Sequence, residues 1–177
     1  MIPNPPPEFS RRVPAHEIGL DGLATTIEAD AKERAALAKR FDLVGLDRLQ
    51  ARIVIKPLSV GGLYRLEGQI EAELAQRCVV TLEPIPARIS NDFTRLYGPP
   101  QAVEECLDLD PEAEDPPDPL DQGAIDIGEA AAEQLALCLD PYPRKPGAMI
   151  DDSSFVSKPD KTDSPFQVLA ARAAKKV

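Results

Sequence analysis

Three cysteines, a single histidine and a dense run of carboxylates are the residues whose types could do chemistry in this chain. Cys78, Cys106 and Cys138 are widely spaced and odd in number, which gives no disulfide framework and fits reduced thiols. A tetrahedral metal site needs a close set of thiol and imidazole ligands, and the lone His16 cannot complete one. With no Ser-Gly elbow near it, His16 builds no catalytic triad either. Carboxylates crowd residues 104–121, but a solvated loop has no burial to separate their pKa values into an acid and a base. No GxxxxGK[ST] stretch is present to cradle phosphates, and Gly61-Gly62 lacks the strand-to-helix setting of a nucleotide loop. The residues therefore assign no catalytic group, no cofactor, no metal and no small-molecule substrate. The chain reads as non-enzymatic.

What remains is charge and its placement. Net charge is −10, distributed unevenly. Residues 1–103 hold thirteen charges of each sign, and residues 104–140 hold thirteen Asp/Glu with no Lys or Arg. Residues 141–177 hold seven basic against four acidic residues. An acidic stretch repels phosphates and attracts basic partners. Against that stand Arg52 and Lys56, which share one face of a strand, and Arg77, Arg88 and Arg95 on the following hairpin, with Tyr97 beyond. Paired as a meander, these five cations form a small patch for RNA phosphates, or else they interleave with Glu67, Glu71 and Glu73. Cross-strand charge pairs of the second kind stabilise a sheet by roughly 0.2–1 kcal/mol each, reason enough for such residues to be there. The mixed-charge face is the more ordinary of the two readings.

The elements that must position these charges show in the spacing. Asp30 with Glu33 makes a capping-box pair, and Arg34, Leu37, Ala38 and Phe41 then line one face of a helix. Leu49, Ala51, Ile53 and Ile55 alternate with polar residues, as do Leu66, Ile70, Ala72 and Leu74, giving two half-buried strands joined across Gly61-Gly62. Val79–Leu82 is short and rich in β-branched residues and counts as a further strand. Ile85, Ala87, Ile89 and Phe93 resume the alternation after Pro84, with Arg88 and Ser90 facing away. About four successive strands without intervening helices predict an α+β fold built on an antiparallel meander, open or partly closed. Asp126 with Glu129 caps a second helix whose stripe is Ile127, Ala131, Leu135 and Cys138, ended by Pro141 and Pro143.

The implied organisation is a proline-rich extended lead over residues 1–15 and one domain over 16–146 that contains an acidic mobile loop at 98–123. A disordered linker at 147–163 and a short helix at 164–177 follow, the latter opened by Ser164-Pro165. Phe166 and Leu169 on that last helix either dock on the sheet or are offered to a partner's groove. No run approaches the roughly 18 apolar residues of a membrane helix, and no basic-then-apolar leader opens the chain, so a cytoplasmic location is expected.

Two segments, taken in order, resemble a known family. Gln76-Arg77-Cys78-Val79-Val80-Thr81-Leu82-Glu83-Pro84, at the junction of a hairpin, resembles the central motif of the YceD family of large ribosomal RNA subunit accumulation proteins. Ser164-Pro165-Phe166-Gln167-Val168-Leu169-Ala170 resembles that family's closing segment, and the order of elements matches from roughly Ile27 to Ala170. The resemblance implies a non-enzymatic factor for 23S rRNA accumulation in large-subunit assembly. Its partner would be 23S rRNA or a pre-50S particle contacted directly, or a basic ribosomal protein held by the acidic loop. Family members commonly carry Cys-x-x-Cys at the hairpin, whereas here Ala75 stands at the first position. Half of a zinc site is therefore missing, and Cys78 is expected to be a small buried hydrophobe.

Overall fold

The long alternating runs form the strands they predict. A computed structural model of the chain describes residues 7–58, 62–99 and 116–149. Strands β3 (Gly45–Pro57), β4 (Tyr64–Arg77) and β5 (Pro84–Gly98) pair antiparallel along their lengths, Ile53 opposite Gly68 and Ala72 opposite Ile89. A shorter strand, β2 (Leu23–Glu28), lies antiparallel to β3, with Thr26 opposite Arg52. At the other side β6 (Asp118–Pro119) runs parallel to the end of β5, so the order is β2-β3-β4-β5-β6. The α+β meander is present; the sheet is open, and the partly closed version does not form.

The expected hairpin junction is present, but Val79–Leu82 within it is a turn and not a further strand. Cys78–Glu83 closes the β4–β5 hairpin: the Cys78 amide donates to the Glu83 carbonyl at 2.8 Å, and the Leu82 amide donates to the Cys78 carbonyl at 2.9 Å. Leu82 turns the chain with φ of 61°, which no strand residue adopts. The β-branched composition of Val79–Leu82 suggested a strand, but six residues between two long strands leave room only for the reversal.

One face of the sheet is covered. Helix α1 (Ala31–Arg40) starts at Asp30, whose Oδ1 accepts from the Lys32 and Glu33 amides at 2.7 and 2.8 Å, while Glu33 Oε2 accepts from the Asp30 amide. This is the predicted capping box. Helix α2 (Ile127–Cys138) follows β7 (Ala124–Asp126), which pairs with the short β1 (Arg12–Pro14) in a separate ribbon. Asp126 caps α2 by accepting from the Gly128 and Glu129 amides. Glu129 does not close a box, because its carboxylate is taken by Arg40 at 2.8 and 3.1 Å.

The segment expected to be an extended lead belongs partly to the core. Phe9 is fully buried, and the Arg11 carbonyl accepts from the Ile127 amide at 3.0 Å. A Cβ added to Gly128 would collide with the Phe9 carbonyl oxygen, so glycine is what lets this segment cross the first turn of α2. Phe9 joins Leu37, Leu49, Ile53, Ile55, Leu66, Ile70, Ile127 and Leu135 in one apolar cluster. Each such side chain contributes about 1.5–3 kcal/mol by leaving water.

The chain divides into two units, Met1–Lys145 and Pro146–Val177; of the second, only residues 146–149 are described, with a turn at Pro146-Gly147. Residues 100–115 of the acidic loop, most of the expected linker, and the final helix with Phe166 and Leu169 lie outside the described residues, while the end of the loop expected to be mobile instead forms β6 and bonds Ala15 through the Gly123 carbonyl.

Candidate nucleic-acid interface

Strand register sorts the cations by face. Residues directly opposite in an antiparallel pair point to the same side, and successive residues alternate. On β4, Leu66, Ile70, Ala72 and Leu74 are buried on the covered side, so Arg65, Glu67, Gln69, Glu71, Glu73 and Arg77 occupy the open side. Across from them on β3 come Arg48, Gln50, Arg52 and Lys56, and on β5 Pro84, Arg88, Ser90, Asp92 and Thr94.

Four of the five predicted cations share this open face. Arg52 sits between Thr26 and Gln69; its Nη2 lies 3.8 Å from Glu71 Oε1, and its Nη1 donates to Gln69 Oε1 at 3.4 Å. Arg88 opposes Glu73 at 3.4 Å and keeps 83% of its side chain exposed. Lys56 opposes Arg65 at one end of the face, and Arg77 opposes Pro84 near the other. The centre of the face is therefore mixed in sign, with cations toward its ends that pair with no carboxylate among the described residues. A shallow cavity of about 330 Å³ opens there between Arg48, Glu71, Glu73, Arg88 and Ser90.

Arg95 is not with them. It opposes Leu66 on the covered side, where Nη1 meets Glu133 Oε2 of α2 at 2.5 Å and Asp118 Oδ2 at 3.7 Å, leaving 20% of the side chain exposed. Burial is the largest single influence and disfavours the cation, but the bond to Glu133 and the charges of Glu133 and Tyr97 together outweigh it and hold the guanidinium above its usual range. Tyr97 lies on that side too and is buried, which pushes its hydroxyl pKa up. Neither reaches the open face. The phase was legible, since Arg95 and Tyr97 continue the odd-numbered series Ile85, Ala87, Ile89 and Phe93.

Arg48 and Arg65 were missed, although both fall in phase with residues already assigned outward. A third missed group, Tyr142 and Arg144, lies beyond α2 in a stretch whose prolines signalled only the end of a helix. That stretch folds onto the hairpin tip, with the Val79 amide donating to the Pro143 carbonyl at 2.9 Å and Lys145 Nζ bonding Glu83 at 2.8 Å.

Cys78 is buried under this clasp, as expected, but it is not a plain hydrophobe. Its Sγ accepts from the amides of Thr81 and Lys145, each at 3.4 Å. Hydrogen bonds from Thr81 first, then from the Lys145 backbone, hold the thiol pKa down to about 6. Among the described residues no group of three or more His, Cys, Asp or Glu could hold a metal ion, and no helix is long and apolar enough to cross a membrane.

A family model described as large ribosomal RNA subunit accumulation protein YceD matches residues 66–171, more than half of the chain. Neither curated proteins nor solved structures give a match.

Proposed function

Because the chain belongs to the YceD family of large ribosomal RNA subunit accumulation proteins, we propose that it serves large-subunit rRNA accumulation as a non-enzymatic binding protein that touches the rRNA directly. The observation that supports this reading is the division of the sheet. One face is filled by α1, α2 and the N-terminal segment, while the other carries Arg52, Lys56, Arg77 and Arg88 to solvent. Arg48 and Arg65 extend the same face. Lys and Arg side chains on an open sheet release counterions from a nucleic-acid backbone, which gives affinity without sequence reading. Glu71 and Glu73 lie beside Arg52 and Arg88 at 3.8 and 3.4 Å and would be exchanged for phosphate on binding.

A second reading has its own support. Thirteen carboxylates without a Lys or Arg over residues 104–140 suit a basic ribosomal protein, with any effect on rRNA indirect. Phe166 and Leu169 would serve that reading as anchors in a partner groove. Purifying the tagged protein from cells and identifying the bound RNA and protein separates the two. Direct contact predicts 23S rRNA that crosslinks to the open face and persists when residues 100–115, which leave β6 in place, are replaced by a Gly/Ser linker. The adaptor predicts a basic protein that is lost with that loop, and no RNA crosslink.

A further inference from the structure

The tip of the β4–β5 hairpin is a surface built for something the described chain does not supply. Val79, Leu82 and Tyr142 are exposed there, Leu82 by 65% and Tyr142 by 72%. Leu82 also holds a left-handed backbone conformation, which a bulky side chain adopts only under constraint, yet no burial of its own side chain offsets this.

The constraint is the reversal itself, closed by the Leu82 amide on the Cys78 carbonyl and the Cys78 amide on the Glu83 carbonyl, and a clasp fixes the neighbouring segment. Gln76 Nε2 donates to the Asp140 carbonyl at 2.9 Å, the Val79 amide to the Pro143 carbonyl, and the Lys145 amide to Cys78 Sγ. These bonds fix the 140–145 segment against the turn, so the exposed side chains project from a rigid base. The acids nearby are engaged: Glu83 pairs with Lys145 at 2.8 Å, and Asp140 Oδ1 accepts from the Tyr142 amide at 2.9 Å. Arg77 and Arg144 are exposed and pair with no carboxylate among the described residues.

We propose that this tip is a contact for single-stranded RNA, in which Tyr142 stacks on an unpaired base, Val79 and Leu82 cover its edge, and Arg77 and Arg144 take the flanking phosphates. The assignment rests on the rRNA-contact reading above and gives that contact a selectivity the sheet face lacks. Phosphate contacts on the sheet accept any strand. A protruding aromatic side chain instead needs a base free of its neighbours, which loops and bulges provide and a duplex does not. An acidic peptide would satisfy the two arginines, but it would leave Tyr142 without a matching π-face.

The test compares binding of the full chain to a short single-stranded fragment of 23S rRNA and to the duplex of the same sequence. Tyr142→Ala should weaken single-strand binding by roughly 5- to 150-fold, with duplex binding unchanged and Tyr142→Phe close to wild type. Tyr142→Leu, which keeps apolar bulk without the ring, guards against a loss caused by altered folding and should behave like Tyr142→Ala. Changing Arg77 and Arg144 together to Gln should flatten the single-strand dependence of log K on log salt by about 0.7 for each phosphate no longer neutralised. Single-strand binding by Tyr142→Ala equal to wild type overturns the tip assignment and leaves the rRNA reading standing. Wild type that binds neither RNA overturns the rRNA reading itself, and the tip falls with it. Loss of a ribosomal protein from Tyr142→Ala, with RNA affinity intact, overturns the assignment in favour of a protein-docking surface.

Discussion

Arg88 and Arg95 stand seven residues apart on one strand and do opposite things. Arg88 points to the open face, meets Glu73 at 3.4 Å and stays in water. Arg95 points to the covered face and ties β5 to α2 and β6 through Glu133 and Asp118. Residue type is the same, and strand phase alone divides structure from recognition. The two faces of the sheet differ in the same way: apolar and filled on one side, charged and open to water on the other. Charge that is spent on holding the fold is not available to a ligand.

The largest effect should come from opening the covered face. Leu135→Ala, at a fully buried position of α2, should cost about 2–5 kcal/mol in denaturant unfolding, because the cavity adds to the lost burial. Overfilling the same face should cost less. A Cβ at Gly68 would run into the Phe93 ring across the β4–β5 pair, so Gly68→Ala should lose roughly 1–3 kcal/mol.

Smaller still is the contrast between the arginines. Arg95→Gln should lose about 0.5–1.5 kcal/mol, the net value of its hydrogen bond, because Glu133 and Asp118 are half exposed and regain water. Arg88→Gln should stay within about 1 kcal/mol, as exposed pairs do. Equal losses would erase the distinction between the faces.

The subtlest effect belongs to the hairpin tip. The folded Cys78 thiol titrates near 6, below its unfolded value of about 8.5. A depressed pKa contributes stability that is fully present above the unfolded value and is lost as pH falls through the folded one. The stability gap between wild type and Cys78→Ser should therefore widen from pH 6 to about 9 and hold a constant value below 6. A pH-independent gap would mean that the two amides bind a neutral thiol.

Much of this division was legible in the sequence. The Asp30 box, the Asp126 cap and the alternations of β3 to β5 are local patterns, and local patterns specified them. What failed was long-range. Phe9 is buried because the chain returns across Gly128, more than a hundred residues away, and a proline-rich start gives no sign of that. Strand β2 was passed over because Ala24, Thr25 and Thr26 make a weak alternation that only pairing with β3 stabilises. Val79–Leu82 has strand composition in a place where topology demands a reversal. Tyr142 and Arg144 gain their position from hydrogen bonds to the tip, which no spacing rule encodes. Arg95 is the exception, since its parity with Phe93 was on view and the grouping of basic residues by charge overrode it.

The central claim, that the open face and not the covered one carries the RNA contact, is tested most directly by salt dependence. Binding of a 23S rRNA fragment should be measured across salt for wild type, for Arg95→Gln, and for Arg52, Lys56, Arg77 and Arg88 changed together to Gln. The fourfold variant should flatten the slope of log K against log salt by roughly 0.7–0.9 for each phosphate it no longer neutralises, while Arg95→Gln keeps the wild-type slope. A fourfold variant with an unchanged slope, or an Arg95→Gln slope that flattens as much, would contradict the account.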